Sequence, residues 1–305
     1  MATVSLPATI AGAGRRRRIR PAAMLAMLPM AVTVLVVYVG CLAWTVRLST
    51  TSSKLLPVND FVGLDQYARL FANSRFILSA QNLLIFGVLF IAGCLVLGFL
   101  LAVFIDQQVR AEGVFRTVFL YPHALSFIVT GLAWQWFLNP TLGLQKLVRD
   151  AGFEGFTFDW LVNRDMAIYT IVIAGIWQSA GLVMAILLAG LRGVDADLWK
   201  AAKVDGIPAW RVYLSIVLPL LGPMIVTATV LLATAVMKLY DLVVAMTRGG
   251  PGIASEVPAK FVMDHLFERA NVGLATACAT VMLVTVIAVL SPWLYARYGR
   301  PEARR

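Results

Sequence analysis

"DLWKAAKVDGIPAWRVYLSIVLPLLGP", residues Asp197 to Pro223, sets a short charged helix between two apolar runs. Asp195 or Asp197 can cap a helix N-terminus, where a carboxylate accepts orphan backbone N–H groups. Leu198 to Val204 then supplies about two turns, with Trp199, Ala201 and Ala202 as a small apolar surface. Lys200 and Lys203 remain able to reach water. Gly206 suits the left-handed residue that ends a helix, and Pro208 the first turn of the next one, where its missing N–H is harmless. The pattern predicts a helix–turn–helix knuckle over 193–211, small enough along its alanine face to enter a groove. On these residues alone it reads equally well as an ordinary connector with good caps.

The surroundings of the knuckle are apolar. Of the 305 residues, 60% are hydrophobic and 14% charged, whereas soluble domains run at roughly 45–50% and about 25%. A bilayer core takes about 20 apolar residues per helix. Six runs meet that requirement, near Pro21–Val46, Gln81–Ile105, Thr117–Leu138, Ile168–Leu191, Val212–Leu239 and Val272–Tyr295. The expected fold class is therefore all-α, a polytopic membrane protein with six transmembrane helices.

Charge orients the chain. One side collects Arg15, Arg16, Arg17, Arg18 and Arg20, then Arg110, Arg116, Arg192, Lys200, Lys203 and Arg211, and finally Arg297, Arg300, Arg304 and Arg305. On the other side lysine and arginine are spread over the longer segments 47–80, 139–165 and 241–271, where acidic residues balance them. The positive-inside rule makes the denser side cytoplasmic and places both termini and 193–211 there. The net charge of +10 is thus a topology signal, and nucleic acid is not an expected partner. The arginine run could also open a signal peptide, even a twin-arginine one. The first span exceeds the roughly 7–15 residues of such a segment, and no convincing cleavage site follows, so an uncleaved anchor is expected. The expected organisation is a basic N-terminus (1–20), a first span (21–46), an outer loop (47–80), a five-helix core (81–295) holding 193–211, and a short cytoplasmic end (296–305).

No catalytic, cofactor or metal site is expected. His123 and His265 stand far apart without metal-ligand spacing, and Cys41, Cys94 and Cys278 lie inside apolar runs, as buried thiols do. No GxxxxGK[ST] is present, so nothing in the chain could cradle ATP phosphates. That leaves two classes of transporter open: a subunit driven by a separate ATPase, and a passive or ion-coupled carrier. A carrier usually places ionisable residues inside its helices, and this chain offers little beyond Lys238, Asp241 and Asp106. Lys238 and Asp241, three apart, could pair on one helical face.

Lys200-Ala201-Ala202-x-x-Asp205-Gly206, followed by Ile216-x-Leu218-Pro219, resembles the EAA loop of membrane-spanning permeases in binding-protein-dependent ABC importers. Lys200 stands where that loop usually has Glu, and Tyr213 where Phe is frequent. The blocks Val62–Phe71, Phe115–Leu144, Leu188–Asp195 and Met246–Gly252 are similar, in the same order, to carbohydrate-uptake permeases of the maltose and glycerol-phosphate type, and most similar to those of glucose/mannose systems. The resemblance implies the type I importer permease fold, with Leu198–Val204 as a coupling helix seated in an ATPase cleft. The ATPase-coupling residues would then be Lys200, Ala201, Ala202, Asp205 and Gly206. It also implies a second homologous permease subunit, two ATP-binding subunits and a periplasmic sugar-binding protein that docks on the outer segments. Cargo would be a monosaccharide of the glucose/mannose kind, with an oligosaccharide such as an α-glucoside as the alternative.

A sugar path needs hydrogen-bonding groups beside flat apolar faces. Within the spans, Gln135, Gln178, Thr227, Thr234, Lys238 and Tyr240 are the candidates, with Ser179, Thr229 and the rings of Trp134, Trp136 and Trp177. Each has an ordinary alternative, because Ser and Thr glue helices together and Trp anchors interfaces.

Overall fold

The computed structural model describes residues 21–58, 60–107 and 110–298. The arginines at 15–18 and 20, and the basic C-terminal residues 300, 304 and 305, which orient the chain above, lie outside the described residues. The chain divides into two compact units after Thr45. The first helix, α1 (Leu25–Leu48), is long and apolar enough to cross a membrane and contains a wide, π-type turn over Val34–Val39. Cys41 on it is exposed and not a buried thiol, whereas Cys94 and Cys278 are buried.

From Val46 onward the chain forms α2 (Asp65–Phe71), α3 (Ser74–Asp106), α4 (Glu112–Ala124), α5 (Phe127–Phe137), α6 (Leu144–Asp150) and α7 (Ala167–Leu191). The expected knuckle follows as α8 (Ala196–Val204) and α9 (Ala209–Leu220). The chain continues through α10 (Gly222–Met237), α11 (Asp241–Thr247), α12 (Pro258–Met263) and α13 (Val272–Tyr298). One isolated antiparallel bridge joins Thr51 to Phe61.

Two of the six apolar runs are not single straight spans. α4 and α5 meet at 100°, and α9 and α10 at 71°, so among the described residues four helices are long and apolar enough to cross a membrane on their own, and up to six if each bent pair is one span. The first break has a local cause. Leu125 and Ser126 are extended, and the Ser126 side chain accepts a hydrogen bond from the Val129 N–H, starting a new helix inside a continuous apolar run. The Leu125 carbonyl freed there accepts from the Gln178 side-chain amide of α7 at 2.8 Å, which satisfies a group that lipid could not. At the second break, Leu221 leaves the helix and Gly222-Pro223 restarts it.

The core is the long contact between α3 and α7, extended by α4, α10 and α11. Small residues let these backbones approach: a Cβ on Gly98 would lie 2.8 Å from the Val183 Cβ, and one on Gly181 would lie 1.9 Å from the Phe119 carbonyl oxygen of α4. A separate apolar cluster of Leu70, Phe76, Phe261, Leu274, Ala277 and Cys278 ties α2 and the start of α3 to α12 and α13. At 33 residues, α3 is about 50 Å long. Its first turn therefore lies at one end of the helical body and its last turn at the other.

Candidate functional site

The knuckle after α7 is built by local backbone chemistry. Asp195 caps α8, its carboxylate accepting from the Asp197 N–H at 2.9 Å. At the other end the Gly206 N–H donates to the Lys203 carbonyl (3.3 Å) and the Ile207 N–H to the Ala202 carbonyl (3.0 Å). This pair of bonds closes a helix through a left-handed residue, and Gly206 has φ +68. Pro208 sits one residue earlier than expected, as the extended residue capping α9 and not inside its first turn.

The faces of α8 differ from the sequence reading. Ala202 is 5% exposed and Trp199 is partly buried, so these two, three residues apart, face inward and do not belong to an outward alanine face. The outward side carries Leu198, Ala201 and Val204, the last 87% exposed, with Lys200 and Asp197 paired in solvent at 2.8 Å. Trp199 packs edge-on against Tyr213 of α9, ring centroids 5.1 Å apart. The Tyr213 hydroxyl accepts from the Gln107 side-chain amide (2.8 Å) and donates to the Asp106 carboxylate (3.2 Å), both at the last turn of α3. Arg192, just past α7, pairs with Glu112 at the start of α4 at 2.6 Å. Tyr213 also opens a wide turn over Tyr213–Val217, ahead of Pro219, which has no N–H to give to the Ser215 carbonyl.

The residues expected along a substrate path separate into two groups. Lys238 and Tyr240, with Asp241, Phe127 and Gly175, line a small, partly open cavity of about 20 Å³, room for a single water. It lies where the α10–α11 linker meets the start of α5, and α7 at Gly175, about one helical turn before Gln178. Trp134 and Trp177 are in edge contact nearby on α5 and α7, centroids 5.9 Å apart. Gln135 is partly exposed on α5, and Trp136 is exposed. Thr227 and Thr234 stand apart from this group. Their hydroxyls donate to the carbonyls four residues earlier in α10 (2.8 and 2.6 Å), and Thr234 faces α13. Thr229 does the same at 2.8 Å. The expected Lys238–Asp241 pair does not form. α10 ends at Met237 and α11 begins at Asp241, with Tyr240 at φ −138, so the two charges share no helical face.

Sequence reasoning missed the polar clasp at the other end of α3. Arg75 in its first turn donates from Nε to Glu256 at 2.7 Å and from a terminal nitrogen to Asp264, which also accepts from Lys260 at 2.7 Å. Asn82 reaches the Ala254 and Glu256 carbonyls at 2.8 and 2.9 Å. Glu256 is 1% exposed, and burial raises its carboxyl above the usual range against the opposing pull of Arg75. Beside it His265 is buried against Phe261, and burial lowers its imidazole below the ordinary value. The partners are 181 and 189 residues apart in sequence, so no local pattern announces them.

Apolar helices, two of them broken once within the span, with a capped peg at one end of the bundle, make this a polytopic membrane protein. The chain belongs to the family of binding-protein-dependent transport system inner membrane components, which it matches over residues 95–300. It is therefore an inner-membrane permease component and not itself an enzyme. It is 34% identical over 290 residues to a probable ABC transporter permease of Pyrococcus horikoshii, covering 94% of this chain and 99% of that one. It is also 34% identical over 275 residues to the xylose/arabinose import permease of Haloferax volcanii, covering 89% and 86%. Among solved structures, a chain of a bacterial ABC transporter that imports the acidic polysaccharide alginate shares the fold, with a TM-score of 0.77, 19% identity, and coverage of 92% of this chain and 97% of that one.

Proposed function

We propose that this chain forms half of the translocation path of a sugar importer, and that α8 is the element through which a separate ATPase drives it. The observation that carries the reading is the peg itself: a helix closed at both ends by its own capping, with Leu198, Ala201 and Val204 left outward where a cleft could grip them. Lys200, Ala201, Ala202, Asp205 and Gly206 build it. Ala202 and Gly206 hold its shape, Ala201 and Lys200 face the partner, and Asp205 leads into the turn. Lys200 already pairs with Asp197, so the outer face presents a neutral pair and not a lone cation. In this reading 193–211 and both termini are cytoplasmic, and the segments 47–80, 139–165 and 241–271 receive a sugar-loaded binding protein.

Sugar cargo is supported by relatives named for xylose/arabinose and for trehalose/maltose. The quoted sequence blocks favour a glucose/mannose-type monosaccharide, with an α-glucoside as the alternative. A second, homologous permease would complete the path, with two ATPase copies below. Closure of the ATPases on ATP would push α8, and Trp199 and Tyr213 would pass that push into α9 and the broken helix behind it. The gathering of Phe127, Gln178, Lys238, Tyr240 and the Trp134–Trp177 pair where helices break is the favoured path lining, because irregular backbone at membrane depth belongs beside a cavity. Thr227 and Thr234 are weaker members, since their hydroxyls are engaged within α10.

The test is reconstitution. Proteoliposomes holding this chain, its partner permease, the ATPase and a sugar-charged binding protein should accumulate labelled glucose or mannose only with ATP inside. Uptake by this chain alone under an ion gradient would contradict the proposal and favour a secondary carrier. The binding protein's ligand affinities decide between monosaccharide and α-glucoside.

A further inference from the structure

We propose that the Tyr213 hydroxyl is a positioning group that ties the coupling helix to the far end of α3, so that a push on α8 moves α3 and α9 together. The inference rests on the reading of α8 as the ATPase-gripped element and adds the route by which its motion leaves it. Three observations carry it. The Tyr213 ring is 8% exposed and bears edge-on against Trp199, while Ala202 beside Trp199 is buried in the same cluster, so α8 cannot shift without displacing that ring. The hydroxyl on the same ring takes a hydrogen bond from Gln107 at 2.8 Å and gives one to Asp106 at 3.2 Å, which makes Tyr213 the joint between three elements. The backbone around it is weak by design of sequence: a wide turn over Tyr213–Val217 ahead of Pro219 leaves α9 short of regular helix bonds. A compliant helix transmits displacement poorly along its own axis. The Tyr213 hydroxyl adds a second connection, from the same ring to the last turn of the 33-residue α3.

Asp106 is partly exposed and Gln107 exposed, so both can be hydrated when the hydroxyl is removed. A structural role alone would therefore be nearly silent in Tyr213→Phe, which keeps the ring against Trp199. A positioning role would not be silent. The reconstituted importer with Tyr213→Phe should assemble and hydrolyse ATP, yet consume at least about fivefold more ATP per sugar imported, about the shift that one lost hydrogen bond gives an equilibrium, since both the Asp106 and the Gln107 bonds are lost. Asp106→Asn keeps an acceptor and should retain near wild-type stoichiometry, whereas Asp106→Leu, which leaves the Gln107 bond, should raise ATP use per sugar in the same direction as Tyr213→Phe by a smaller factor. The double variant Tyr213→Phe/Asp106→Leu should be no worse than Tyr213→Phe alone, because loss of the hydroxyl already removes the bond to Asp106. Each sample is also scored for crosslinking of Ala201→Cys to the ATPase. Wild-type stoichiometry in both Tyr213→Phe and Asp106→Leu, with the crosslink intact, overturns the tie and leaves the coupling helix standing. Absence of the crosslink in otherwise wild-type protein overturns both.

Discussion

Replacing Gly206 isolates the conformation of one turn from every contact around it. The residue sits at φ +68, and a Cβ built there meets no atom within 4 Å. A substitution therefore adds no clash, and its whole cost is the left-handed backbone. That cost is roughly 1–2 kcal/mol for an ordinary L-residue, larger for a β-branched one, and small for Asn, which tolerates the region. In population terms 1–2 kcal/mol is about 5- to 30-fold against the turn that holds the Ile207–Ala202 and Gly206–Lys203 bonds. Gly206→Val, being β-branched, should insert and assemble normally but lose uptake relative to ATP turnover by at least the upper end of that range, about 30-fold, and Gly206→Asn should stay within about twofold of wild type. The assay is sugar imported per ATP hydrolysed in proteoliposomes. Full coupling in Gly206→Val would refute the role of the turn. Equal damage from Asn and Val would refute the conformational argument.

Other perturbations reach separate parts of the account. Arg75→Met strands the buried Glu256 carboxylate and leaves Asp264 with Lys260 alone, and should cost about 3–5 kcal/mol in the thermal stability of the detergent-solubilised complex. Adding Glu256→Gln should recover part of that loss, and an unchanged midpoint in the single variant would remove the clasp from the account. Gly181→Ala drives a Cβ to 1.9 Å from the Phe119 carbonyl oxygen, backbone against backbone, and should abolish a monodisperse folded subunit on size exclusion. Acidification should act through His265. Its lowered pKa means that below the ordinary value near ~6.5 the unfolded chain binds more protons than the folded one, so stability is full above that pH and falls as pH drops through the folded value. Glu256, raised by burial, has the opposite slope and gains stability as pH falls through its own folded value. Comparing thermal midpoints with His265→Gln, which lacks only the first slope, should show wild type losing ground below about pH 6.5.

What could be read from the chain divides by distance along it. The cap at Asp195, the turn at Gly206 and the length of α8 involve residues within a few positions of one another, and local backbone chemistry dictates them. The apolar runs were equally legible, because lipid demands them over about 20 consecutive residues. The 100° break between α4 and α5 was not, since hydropathy continues straight across it. Pro122 and a serine with helix-capping chemistry at 126 were the available signals. The inward turn of Ala202 and Trp199 followed from the 3.6-residue period but needed the position of α9 to show which face was inside. Tyr213 with Asp106, and Arg75 with Glu256, join residues more than 100 positions apart, where spacing says nothing. Lys238 and Asp241 failed as a helical pair because the helix on which the spacing argument relied ends between them.

The most direct measurement places a single cysteine at the exposed Ala201 of α8, in a background where Cys41, Cys94 and Cys278 are serine or alanine. A short bifunctional reagent is then applied to the intact transporter with and without ATP. A crosslink should form to an ATP-hydrolysing subunit, with a yield that changes with nucleotide. Labelling of Ala201→Cys from the periplasmic side, or a crosslink that never reaches such a subunit, would contradict the coupling role of α8.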